Sequence, residues 1–199
     1  MHRLAIAFLL LTTDAARAEP ALTISCEDPL FAKDSSHERL VAAFGKQNVA
    51  LVSERGAVGP EVKSVIYPKD PKRKLTVEWD DGKARAVPRT LIIEKPSQWA
   101  APKGVRIGTP LEELETLNGA PFTIIGFAGF LAGQVGWSGA LHLQPGGCFL
   151  GATLEPTAKL TKPEMDKVAS TNSFTSTDPP MRQAQPVISR LLVFFLAAR

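Results

Sequence analysis

The chain has 199 residues, with 23 Lys and Arg against 20 Asp and Glu and a formal net charge of +3. That charge is too mild for a nucleic-acid partner, which calls for a strong basic field. With two cysteines and three histidines, one of them His2, there is also little material for a metal cluster.

Residues 1–18 have the three parts of a secretory signal peptide. A short basic head (His2, Arg3) precedes an unbroken apolar run over residues 4–11, and a more polar stretch ends in Ala16-Arg17-Ala18. The run is far shorter than the roughly 20 residues of a membrane span. Small residues at Ala16 and Ala18 place cleavage between Ala18 and Glu19. The expected mature chain is therefore exported, periplasmic or secreted, with no transmembrane span. Thr23-Ile24-Ser25 before Cys26 does not make a lipobox. A second apolar run at 187–196 is broken by Arg190 and reads as a buried strand.

Cys26 and Cys148 are the only cysteines. An even pair in an oxidising compartment is expected to form a disulfide. It closes a loop of about 120 residues, for which chain entropy alone gives about 4–5 kcal/mol. No Cys-x-x-Cys spacing is present to lower a thiol pKa for redox work.

Two segments begin a helix in similar ways. Ser35-Ser36-His37-Glu38 reads as a capping box with Ser35 at the N-cap, followed by the apolar face Leu40, Val41 and Phe44 and stopped by Gly45. Thr109-Pro110-Leu111-Glu112 reads as a second box, with Leu111, Leu114 and Leu117 as its stripe and Asn118-Gly119 as its end. They align without a gap at an offset of 74, and three strand-like segments after each stay in step: 49–53 with 123–127, 64–67 with 138–141, and 75–79 with 149–153. Asp80-Asp81-Gly82-Lys83 is a hairpin turn before a further strand at 89–94. The second half regains its last strand after a Thr-, Ser- and Pro-rich surface excursion with room for one helical turn near 164–168.

The expected fold class is α+β, two similar helix-plus-antiparallel-meander units packed as one pseudo-symmetric body. Residues 19–95 form the first unit, 96–103 a linker, and 104–199 the second unit with a long loop at 157–185.

Residues 104–127, GVRIGTPLEELETLNGAPFTIIGF, resemble a family of uncharacterised secreted bacterial proteins with the pattern GIxxGTxLxELExLNGxPFxLxGF. FGKQNV and DPKRKLTVEW in the first half share the resemblance, and Trp137 matches a later Trp of that pattern. The family's Trp-Asp-Tyr-Gly-Gly turn is replaced here by Gly129-Phe130-Leu131-Ala132-Gly133. The helix-then-strands phrase is also similar to the β-lactamase-inhibitor-protein and small outer-membrane-assembly-lipoprotein folds. That fold-level resemblance implies protein binding, and the family pattern brings no known activity.

Candidate chemistry is sparse. His37 sits at a helix start and His142 in an expected strand, and no local spacing joins them to carboxylates for zinc. No Gly-x-Ser-x-Gly elbow marks a nucleophile. The glycine-rich stretch 126–139 lacks the following helix that would make it a phosphate loop, and it reads as a hairpin presenting Phe130 and Leu131. Lys69, Lys72, Arg73 and Lys74 flank Asp70-Pro71 in a turn suited to an anionic surface.

No cofactor is implied. The expected function is non-enzymatic binding or envelope association, with an envelope protein or anionic envelope surface as partner. A hydrolase whose site is invisible in sequence, or a protein inhibitor of an envelope or foreign enzyme, are the alternatives. N-terminal sequencing of exported protein should begin at Glu19; retention of residues 1–18 would remove the export argument.

Overall fold

A computed structural model describes residues 21–32, 34–56 and 59–195. The expected signal peptide and its cleavage site at Ala18 and Glu19 lie outside these residues. Helix α1 (His37–Phe44) leads into strands β1 (Val49–Arg55), β2 (Pro60–Ile66), β3 (Leu75–Asp81) and β4 (Ala86–Glu94). The second half runs α2 (Leu111–Asn118), β5 (Thr123–Ile125), β6 (Val135–Gly136), β7 (Leu143–Gln144) and β8 (Cys148–Glu155). It then continues through α3 (Lys162–Val168), β9 (Ser173–Thr175), α4 (Pro179–Ala184) and β10 (Val187–Phe195). This is the expected α+β class.

Seven strands form one antiparallel sheet in the order β1-β2-β3-β4-β10-β8-β7, and three form a small sheet in the order β6-β5-β9. The finer expectation of two pseudo-symmetric units is not confirmed. The first half is a four-stranded meander in the large sheet. In the second half β5 belongs to the small sheet, and residues 138–141, expected as a strand, are a turn and bend. Gly139 explains this locally: a Cβ there would stand 2.3 Å from the Asn118 carbonyl oxygen. The chain here packs against the end of α2, whose Asn118 side chain accepts from the Leu141 N–H.

Both helix starts differ from their expected capping boxes. Ser35 is buried and its hydroxyl donates to the Leu30 carbonyl at 2.6 Å, so Ser36 takes the N-cap and accepts from the Arg39 N–H at 3.3 Å. Thr109 is likewise turned inward to accept from the Arg106 N–H at 3.0 Å, leaving Pro110 at the N-cap of α2. The capping box that does form is Thr161 with Glu164, at the start of α3. The excursion at 157–185 is thus more ordered than its composition suggests, carrying two helices and a strand. The expected helix ends hold: Gly45 and Gly119 take φ values of +88° and +73°, which side-chain-bearing residues rarely adopt.

Strand alternation builds the core. Val77, Leu91, Ile93, Leu191, Val193, Leu150 and Ala152 are buried on one sheet face, together with Leu40 and Phe44 of α1 and Leu111 and Leu114 of α2. Leu117, expected inside, is only half-buried. Fully burying one such side chain contributes about 1.5–3 kcal/mol. Trp99 is sealed among Phe31 and Phe44 at ring distances of 6.0 and 6.1 Å.

The Cys26 to Cys148 disulfide is present, spans 122 positions, and pins the N-terminal segment to the start of β8. Gly146 permits this approach, because a Cβ there would lie 2.7 Å from the Cys26 carbonyl carbon. Replacing both cysteines by alanine should lower stability by about 2–5 kcal/mol in denaturant melts. An unchanged midpoint would show that the bond does not restrain the unfolded chain.

Candidate binding surface

The basic turn after β2 is rigid because its backbone is anchored in the core. The carbonyls of Lys72, Arg73 and Lys74 accept from the Gln98 N–H, the Trp99 indole N–H and the Ser97 hydroxyl, each at 2.7 Å. Asp70 accepts from the Lys72 N–H at 3.0 Å and from Arg73 Nε at 2.7 Å. The Arg73 guanidinium lies 4.2 Å from the Tyr67 ring centroid. The hydrogen bond from Arg73 holds the Asp70 carboxyl below its ordinary range. Arg73 is therefore part of the scaffold, while Lys69, Lys72 and Lys74 are the exposed cations.

The glycine-rich loop is also held close. A Cβ on Gly133 would meet the Leu154 carbonyl oxygen at 2.0 Å, and one on Gly126 the Ser170 carbonyl oxygen at 2.5 Å. Glycine lets the loop lie directly on β8 and on the chain after α3, with Leu154 N–H donating to the Gly133 carbonyl at 2.8 Å. From this base Phe130 stands fully in solvent and Leu131 is about half exposed.

Strand register places both features at the same end of the large sheet. Lys74 precedes Leu75 of β3, Glu94 ends β4 and pairs with Arg190, Arg190 pairs with Thr153, and Thr153 bridges Gln134. Arg190 pairs in charge with Glu94 at 3.2 Å, and Lys95 with Glu155. The basic turn and the Phe130 loop therefore flank one rim, separated by β4, β10 and β8.

The sheet face opposite the core holds residues that sequence reasoning missed. Thr90, Phe194, Phe149 and Leu143 form one cross-strand row, in which Leu143 is 53 % and Phe194 38 % exposed. The sequence signal was the apolar run at 187–196, expected to be buried. Val187–Phe195 of it form strand β10, but only one of its faces is covered. Gly151 lets the Phe194 ring lie across β8, since a Cβ there would be 2.7 Å from that ring.

Towards β1 the same face becomes charged. Lys63 Nζ lies 3.0 Å from both Glu54 and Glu78, and Arg89 reaches Glu78 at 3.4 Å and Glu61 at 3.8 Å. Of these, Glu61, Lys63, Glu78 and Arg89 border a cleft of about 690 Å³ that also includes Asp80 and Lys83. Burial alone would lower the Lys63 pKa, yet its two carboxylates raise it, so the amine stays protonated and is no nucleophile. Burial alone would raise Glu78, but Lys63 and Arg89 bring it below the ordinary range.

The histidines stand apart. His37 Nδ1 is 2.8 Å from the Ser64 hydroxyl, which also accepts from the Trp79 indole N–H at 3.0 Å. Burial is the main cause lowering the His37 pKa, so the neutral ring can accept the Ser64 proton. Ser64 is fully buried, out of reach of a substrate, and the trio docks the start of α1 on the sheet. His142 lies in a turn rather than a strand, exposed, with its ring 5.2 Å from that of Phe149. Among the described residues no group of three or more His, Cys, Asp and Glu side chains could hold a metal ion, and no helix is long and apolar enough to cross a membrane. No family model, curated protein or solved structure matches the chain.

Because the folded Glu78 pKa lies below its unfolded value, its contribution is present above the ordinary Glu range and is lost as pH falls through the folded pKa. Glu78→Gln should cost about 1–3 kcal/mol at neutral pH. It should also flatten the loss of stability on acidification in thermal melts. Identical acid profiles for the two proteins would contradict the assignment.

Proposed function

We infer that this is an exported, periplasmic or secreted protein that binds an envelope component without chemical turnover. The observation that carries the reading is the uncovered face of the large sheet, which keeps Leu143 and Phe194 partly in solvent. A rigid fold that leaves large apolar side chains exposed on a shallow surface fits a partner more readily than a small substrate. The rim extends this surface with Phe130 and Leu131 on one side and Lys69, Lys72 and Lys74 on the other. The matching partner is a protein or surface of the envelope that offers apolar contacts within negative charge. The internal disulfide is compatible with such a compartment.

The test is capture from an envelope fraction by the disulfide-bonded protein, followed by affinity measurement on the captured component. Phe130→Ser should weaken binding about ten- to a hundredfold, the equivalent of one buried Phe. Joint Lys69→Glu and Lys72→Glu substitution should weaken it too, more strongly at low salt, where screening is least. A biological activity that ignores all three changes but is lost on His142→Ala in a folded protein would replace this reading with an enzymatic one.

A further inference from the structure

Strand β1 ends the large sheet, and no described residue pairs with its outer side. Hydrogen bonds beyond its two ends show which backbone groups face that side. Gly56 N–H donates to the Gly59 carbonyl at 2.8 Å, and Tyr67 N–H to the Asn48 carbonyl at 2.6 Å. Both pairs belong to the unbroken β1–β2 register that runs from Val49 opposite Ile66 to Arg55 opposite Pro60. Bonded and non-bonded pairs alternate in an antiparallel ladder. Ala50, Val52 and Glu54 therefore turn their N–H and C=O groups into β2. Val49, Leu51, Ser53 and Arg55 turn theirs outward, where no described residue forms a backbone hydrogen bond with Leu51, Ser53 or Arg55.

Sheet edges of this kind are usually blunted by shortness, charge, proline or a bulge. The other end of the large sheet, β7, has two residues, and the edges of the small sheet, β6 and β9, have two and three. Strand β1 has seven residues, no proline, no register break, and no charge over residues 49–53. Its Leu51 is 43 % exposed. Beside that side chain, α1 and β1 leave a groove of about 450 Å³ lined by Val41, Val49 and Leu51, with His37, Glu38 and Lys46 also lining it.

The geometry points to a second copy of this chain as the occupant, pairing its β1 antiparallel to this one about a two-fold axis at Leu51. Only outward-facing residues can bond across that axis, and this register meets the condition: Leu51 falls opposite Leu51, and Val49 opposite Ser53. On the other face Ala50 falls opposite Val52. No like charges meet. The paired segment 49–53 carries no charge, and beyond it Glu54 of each copy approaches the short helical turn Lys46–Asn48 of the other. Each Leu51 reaches the mouth of the other copy's α1–β1 groove. The contact is self-complementary, as a two-fold interface requires, and joins two seven-stranded sheets into one.

The test is sedimentation of the disulfide-bonded protein over a range of concentrations, with two variants. Ser53→Pro removes an outward N–H and no bond of the β1–β2 ladder. Leu51→Lys sets two cations opposite each other in the paired register. The parent protein should form a reversible dimer, and both variants should be monomeric at the same concentrations with unchanged circular dichroism. Hydrogen exchange gives a readout independent of the variants. The Leu51 and Ser53 amides should become protected as concentration rises, while Ala50 and Val52 are protected throughout. A protein monomeric at every concentration overturns the proposal. So does a dimer that survives both substitutions, or a foreign segment found paired to β1 in place of the second copy.

Discussion

Strand β10 is hydrogen-bonded on both sides, to β4 of the first half and to β8 of the second. Without it the four-stranded meander and the β8–β7 hairpin would be separate pieces, each with a new open edge. Leu191 and Val193 carry the core face across the junction by lying beside Ile93 and Leu91 on one side and Ala152 and Leu150 on the other. The bulge between Ile188 and Arg190 keeps this alternation in phase while turning the Arg190 side chain to the open face. The disulfide reinforces the same junction from the far side, holding the N-terminal segment against the first residue of β8.

The placement of the candidate surface follows from that junction. Because β4, β10 and β8 share one register, the turn after β2 and the loop before β6 arrive at the same rim although they are far apart in the chain. The two features are rigid for different reasons. The basic turn is tied by carbonyl groups to Ser97, Gln98 and Trp99. The glycine loop is tied by the absence of side chains that would hold it off its neighbours. Rigid presentation reduces the ordering entropy of binding, which favours a contact role.

The open face has an uneven character. Around β8 and β10 it is apolar and partly exposed; around β2, β3 and β4 it is charged and internally paired. Lys63, Glu78 and Arg89 satisfy one another, so the cleft they border is lined by a structural charge network rather than by unmet groups waiting for a ligand. The His37, Ser64 and Trp79 trio works similarly on the core side, where the buried Ser64 hydroxyl joins the His37 ring to the Trp79 indole.

Local chemistry was readable in the chain. Gly45 and Gly119 end helices because the chain there needs positive φ, a property of the residue itself. The stripes of α1 and α2 announced their buried sides. The cysteine pair had only one intramolecular bond available to it. Distant packing decided the rest. Ser35 and Thr109 look like caps, but a hydroxyl bonds whichever partner the folded chain supplies, and the core supplied Leu30 and Arg106. Residues 123–127 and 138–141 share a spacing with strands of the first half, but spacing does not choose a sheet. The contacts of Gly139 with Asn118 and of Gly133 with Leu154 bend that segment away. The apolar run of β10 was plain in sequence. That one of its faces remains open depends on where the helices lie, and helix position is set by packing across the whole chain rather than by any residue in the strand.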